Sequence, residues 1–133
     1  MILDSSAILA ILLREPSFEI IVDAIASADS PAIGAPTLTE TGMVLRNRIG
    51  VGAQSVLVYF LHEWKVEIIP CGEAHWQEAV AAYSRYGKGK HNAALNFGGW
   101  ITFAVAKLSG QTLLCTGNDF SRTDIQLAAA GRR

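Results

Sequence analysis

The sequence predicts an α/β fold: an open, mainly parallel sheet of four to five strands with helices on both faces, in a single domain over residues 1–133. Three observations point to it. Short apolar runs closed by Asp, Gly or Pro alternate with longer stretches whose apolar residues recur at helical spacing, the pattern of strands joined by crossover helices. Half of the 133 residues are hydrophobic and only 17% are charged, which is enough for one generous core and too short a chain for two ordinary domains. No internal repeat or low-complexity stretch interrupts the alternation.

Met1-Ile2-Leu3 is an apolar strand that stops at Asp4, and Ser5-Ser6 supply an N-cap for a helical run from Ala7 to Leu13. Pro16 suits the first position of a second helix, in which Phe18, Ile21, Val22 and Ile25 share a face. Residues 32–35 read as a second, buried strand. Thr37 followed by Glu40 forms a T-x-x-E capping box that opens a helix through Met43, Val44 and Leu45. A helix from Ala53 to Trp64, a strand from Val66 to Ile69 closed by Pro70, and a helix from Glu73 to Tyr86 follow. Gly87 to Asn96 is the long polar loop, Phe97 to Leu108 a helix, and Thr112 to Cys115 a fourth strand that runs into Thr116-Gly117-Asn118-Asp119.

Composition narrows the function classes. The longest apolar run, Ala7 to Leu13, is far short of a membrane span, and no basic segment precedes it as in a signal peptide. Cys71 and Cys115 lack the spacing of a zinc knuckle or a redox pair and read as free thiols of a cytoplasmic protein. A net charge of −1 excludes nucleic-acid binding driven by overall charge, but ten of the eleven basic residues follow position 45. Low charge with a mean hydropathy of +0.28 implies a protein partner or self-association.

In parallel sheets the ligand site lies outside the carboxyl ends of the strands. Asp4 follows the first strand, Glu40 lies soon after the second and Asp119 follows the fourth, so three carboxylates are expected on one rim. Each has a plain structural explanation as well: Asp4 as a cap, Glu40 as part of the capping box, Asp119 as a turn residue. Together they repel one another unless a cation joins them, and Mg²⁺ or Mn²⁺ with hard oxygen ligands is the natural guest for phosphodiester chemistry. Lys88, Lys90 and His91 in the polar loop, with Arg46 on the other side, are solvated charges or else candidate contacts to the phosphates of an anionic substrate; Arg85, Arg48 and Arg122 add further cations. There is no G-x-S-x-G elbow, glycine fingerprint or P-loop, and the histidines are too dispersed for a zinc set.

Four blocks in order, Met1-Ile-Leu-Asp-Ser-Ser-Ala-Ile-Leu-Ala-Ile-Leu-Leu-Arg-Glu-Pro16, Ala35-Pro-Thr-Leu-Thr-Glu40, Tyr86-Gly-Lys-Gly-Lys-His-Asn-Ala-Ala-Leu-Asn-Phe-Gly98 and Gly117-Asn-Asp-Phe-Ser-Arg-Thr-Asp-Ile125, resemble the PIN-domain toxins of bacterial VapBC toxin–antitoxin pairs. The resemblance implies a PIN-like fold and a VapC-like toxin: an endoribonuclease dependent on Mg²⁺ or Mn²⁺, cleaving structured RNA of the tRNA or rRNA class by metal-activated water. It also implies a VapB-like antitoxin whose tail covers the acidic site, a homodimer, and larger toxin–antitoxin assemblies. By position, Asp4 and Asp119 match metal-binding acids, Glu40 matches the acid that ligates or orients the attacking water, and Ser6 matches the small polar residue supporting the first acid.

One departure stands at the centre of the pattern. The family block reads Asn-Phe-Gly-Asp and then a small residue, whereas here Asn96-Phe97-Gly98 is followed by Gly99 and Trp100. Gly99 occupies an expected ligand position and offers no oxygen, so impaired catalysis is expected. Trp100 is expected to narrow the rim, or else to stack on a base. Asn118 and Asp124 are the candidates to compensate. The alternative function is a catalytically inactive module that keeps antitoxin binding and dimerisation. A receiver-like or phosphohydrolase α/β domain is the third reading, and Asp4-Ser5-Ser6 lacks the second acid it wants.

Overall fold

A computed structural model describes residues 1–87 and 95–128. The elements run β1 (Ile2–Leu3), α1 (Ser5–Leu12), α2 (Phe18–Ala26), β2 (Ala32–Gly34), α3 (Ala35–Ile49), a 3₁₀ turn (Gly50–Gly52), α4 (Ala53–Glu63), β3 (Glu67–Ile69), α5 (Glu73–Tyr86), α6 (Phe97–Ser109) and β4 (Leu113–Leu114). The strands pair in parallel in the order β3-β2-β1-β4, with Ile2 opposite Ala32 and Leu113, and Ile33 opposite Ile68. Beyond β4, Leu127 bridges to Leu113 in the parallel sense, so a rudimentary fifth strand lies in a tail that carries no sequence signal of its own.

The side-chain period of two along each strand divides the core. Ile2, Ala32 and Leu113 face α5 and α6, where they meet Ala79, Ala82, Trp100 and Phe103. Leu3, Ile33 and Leu114 face the other way, against Ile8, Ile21, Ile25, Leu45, Leu57 and Phe60 from α1 to α4. Helices therefore cover both faces of the sheet. Residues 32–34 are poor strand formers by composition, and packing explains them: a Cβ on Gly34 would lie 2.8 Å from Val105 Cγ2, so glycine lets α6 sit directly on β2.

Several local expectations change. The cap of α1 is Asp4 rather than Ser5-Ser6, because the Asp4 side chain accepts the Ser6 amide. α3 starts at Ala35, directly out of β2 and with Pro36 in its first turn, so Thr37 and Glu40 lie inside the helix and form no capping box. α2 starts at Phe18, two residues beyond Pro16. On α5, Ala79 and Ala82 are buried, whereas Trp76, Val80 and Tyr83 are exposed. Among the described residues no helix is long and apolar enough to cross a membrane.

Candidate functional site

β1, β2 and β4 run parallel, so their carboxyl ends open on one edge of the sheet, and the elements that leave them carry the acids. Asp4 is held most firmly. Its amide donates to Leu114 O (3.0 Å), which anchors it beside the end of β4, and its side chain is only 9% exposed. Oδ2 accepts two hydrogen bonds from Ser6, one from the amide (3.1 Å) and one from Oγ (2.6 Å). The same Ser6 Oγ accepts the Thr116 amide (3.0 Å). One hydroxyl thus joins the first acid to the exit of β4, where Asn118 and Asp119 follow two residues on.

Asp119 is exposed in the turn after β4, and the Asn118 carbonyl accepts from the amide and hydroxyl of Ser121, which closes that turn. Phe120, buried next to Asp119, pins the turn to the core. The floor here is Cys115, fully buried. Its thiol is pushed up to about 12, first by burial and then by the Asp4 and Asp119 charges, so it stays protonated at neutral pH. No sequence signal singled out Cys115 for this place.

Glu40 sits one turn beyond Thr37 on α3, at the entrance to α6. A Cβ built on Gly98 would lie 2.6 and 2.8 Å from its carboxylate oxygens, so only glycine fits there while Glu40 keeps this position. Gly99 is oriented differently: its amide donates to Asn96 Oδ1 (2.9 Å), completing the N-cap of α6, and its Cβ would meet Leu95 at 3.0–3.1 Å. The glycine that touches an acid is therefore Gly98, which sequence reasoning passed over. Glu40 also borders a groove of about 740 Å³ between α3 and α6, with Met43, Asn47, Asn96 and Phe97 along it.

Among the described residues, no three His, Cys, Asp or Glu side chains stand close enough together to hold a metal ion. Asp4, Glu40 and Asp119 share an edge of the sheet but are not drawn into one closed cluster, a looser arrangement than the expected convergence. Asp124 is removed from the site altogether, since it pairs with Lys107 Nζ (2.8 Å) at the far end of α6 and its carboxyl is lowered by that bond.

Trp100 corrects a second expectation. It is 6% exposed and packs edge-on against Tyr83 (6.0 Å between centroids) and Phe103 (6.2 Å), within the α5–α6 layer. Two residues along a helix is a rotation of about 200°, so Trp100 faces away from the Gly98 side that meets Glu40. It neither narrows the rim nor offers a face for a base. Of the basic candidates, Lys88, Lys90 and His91 lie outside the described residues. Arg46 is exposed on the last turn of α3, bordering a groove of about 610 Å³ shared with α4, and Arg85 pairs with Glu78 (3.5 Å) and covers the Tyr86 ring.

Comparison with known proteins agrees with this architecture. The PIN domain family matches residues 1–126. The chain is 39% identical over 127 residues to ribonuclease VapC36 of Mycobacterium tuberculosis, covering 95% of this chain and 91% of that protein. The fold superimposes on VapC20 of M. tuberculosis, a sarcin–ricin loop cleaving toxin, with a TM-score of 0.78 at 18% identity over 96% of this chain and 97% of the other. It also superimposes on VapBC2 of Rickettsia felis bound to a fragment of its promoter DNA, with a TM-score of 0.71 at 18% identity, covering 95% and 94%. The family match over residues 1–126 and the 39% identity to a VapC ribonuclease make this chain a PIN-domain protein of the VapC family.

Proposed function

We propose that the chain is a VapC-type toxin built as a Mg²⁺- or Mn²⁺-dependent endoribonuclease for structured RNA of the tRNA or rRNA class, with catalysis weakened at Gly99. The observation that carries the reading is the Asp4–Ser6–Thr116 linkage, which holds one acid rigidly beside the turn bearing another. The donor chemistry suits a hard cation, since the side chains offered at this edge of the sheet are carboxylates. Mg²⁺ commonly takes only one or two carboxylates, with water and substrate phosphate completing its shell, so Asp4 and Asp119 are the residues that would hold it.

When bound, the ion supplies acidity to water and positive charge opposite the scissile phosphate. The chain's own residues do the rest. Glu40 accepts a proton at its carboxylate from the attacking water, and Ser6 keeps Asp4 in one rotamer. Asn118 can add a neutral side-chain oxygen at the rim. Lys88, Lys90, His91 and Arg46 contact RNA phosphates. Gly99 adds no oxygen, which lowers both the ligand count and the negative charge of the site.

The partners follow from the same reading: a VapB-like antitoxin and a second copy of the chain, in the cytoplasm. Large apolar side chains left open, Met43, Trp76, Val80 and Phe97, are suited to covering by protein, and the R. felis relative was solved as a VapBC pair. Gly99, standing where the family pattern has an acid, together with the open apolar side chains, favours a second reading, an inactive module that retains antitoxin binding and dimerisation.

A fluorogenic RNA incubated with the purified chain and Mn²⁺, beside an EDTA control and Asp4→Asn, tests the first reading. Slow cleavage that needs metal and falls about 10²-fold or more in Asp4→Asn supports it. Metal-independent cleavage overturns it, and no cleavage with intact antitoxin binding leaves the second reading standing.

A further inference from the structure

We propose that the buried Thr37–Thr102 hydroxyl pair is a positioning clamp that sets where the Glu40 carboxylate meets the entrance of α6. This rests on the reading of Glu40 as an acid of the site. The two Oγ1 atoms are 2.9 Å apart, and the residues are 2% and 1% exposed, on helices that pack against each other. Thr37 lies three residues before Glu40 on α3, and Thr102 lies four residues after Gly98 on α6. Spacings of three and four put each threonine on the same face as the group it serves. The clamp therefore stands one turn below the Glu40–Gly98 contact, at the crossing of the two helices.

A second hydroxyl reinforces it. Thr41 Oγ1 donates to the Thr37 carbonyl (2.8 Å) and is fully buried, holding its own side chain off the Thr37 hydroxyl. Apolar contacts are non-directional, whereas a hydrogen bond between two buried hydroxyls is directional and weakens as its geometry is distorted. The approach it governs has little slack, because a Cβ on Gly98 would stand 2.6 Å from Glu40 Oε1. A shift at the crossing moves the carboxylate relative to the amides of Gly98 and Gly99.

Amide resonances of Gly98 and Gly99 read that distance without metal or activity. Glu40→Gln is expected to displace both resonances in the parent chain. In a Thr102→Val background the same substitution is expected to displace them by less than half as much, and Thr102→Ser to restore the full effect. Thr37→Val carries the test independently should Thr102→Val fail to fold. Loss of stability alone leaves this difference unchanged, since spectra are taken well below the midpoint of unfolding. Equal displacements in parent and valine variants overturn the clamp. Failure of the nuclease reading shows separately, as absence of RNA cleavage with the resonance pattern intact.

Discussion

Ser6→Ala is the substitution whose consequences can be worked out most fully. The Ser6 hydroxyl donates to a carboxylate at 2.6 Å and accepts the Thr116 amide at 3.0 Å, and both bonds end with its removal. A hydrogen bond to a charged group is worth about 1.5–3 kcal/mol and a neutral one about 0.5–1.5. Asp4 keeps the Ser6 amide, and water reaches this half-buried position, so the net loss is about 2–3 kcal/mol. In a domain of this size that lowers Tm by about 6–12 °C. Thermal unfolding of the parent, Ser6→Ala, Asp4→Asn and the double variant forms the cycle. Because the two side chains are bonded, the double variant should fall short of the summed losses by about 1 kcal/mol or more. A Tm shift under about 2 °C, or full additivity, would refute the linkage between β1 and β4.

Trp100→Ala should cost about 3–5 kcal/mol in urea unfolding, because an indole packed between Tyr83 and Phe103 leaves a cavity behind. A loss under about 1 kcal/mol with altered RNA binding would return the indole to the rim. The two thiols should separate in a disulfide-exchange reagent at pH 8: Cys71, partly exposed, reacts in the folded state, and Cys115 only as fast as the chain opens. Cys115 has its folded value raised from 9.0 to about 12, so its contribution to stability is full below pH 9 and is lost as pH rises towards 12. Two thiols reacting at once in the native protein would contradict the buried floor.

The pattern of strands and helices, and the place of Asp4 at the end of β1, was legible because it rests on local signals. Asp4 after Ile2-Leu3, the helical spacing in α2, and Glu73–Tyr86 as one helix all follow from neighbours in sequence. What escaped depended on tertiary contact. Thr37-x-x-Glu40 looks like a capping box until β2 is seen to run directly into α3. The side taken by Trp100 is decided by the apolar surface of α5, and the strand pairing of Leu127 by the free edge of β4. The Gly98–Glu40 approach and the Thr37–Thr102 bond join residues some sixty positions apart, which no local spacing reveals. Asp124 read as a spare ligand only because its pairing with Lys107 lies across the fold.

The central claim is a hard-cation site weakened by the glycine at position 99. Calorimetric titration of Mn²⁺ into the parent chain and into Gly99→Asp tests it most directly. A Cβ at position 99 would stand 3.0 Å from Leu95 Cδ2 and 3.1 Å from Leu95 Cβ, so the aspartate is admitted when Leu95 shifts by a few tenths of an ångström. The account predicts about tenfold tighter Mn²⁺ binding or more in Gly99→Asp, equivalent to about 1.4 kcal/mol, with Asp4→Asn abolishing binding in both backgrounds. Equal affinity in the two chains, or binding that survives Asp4→Asn, would contradict it.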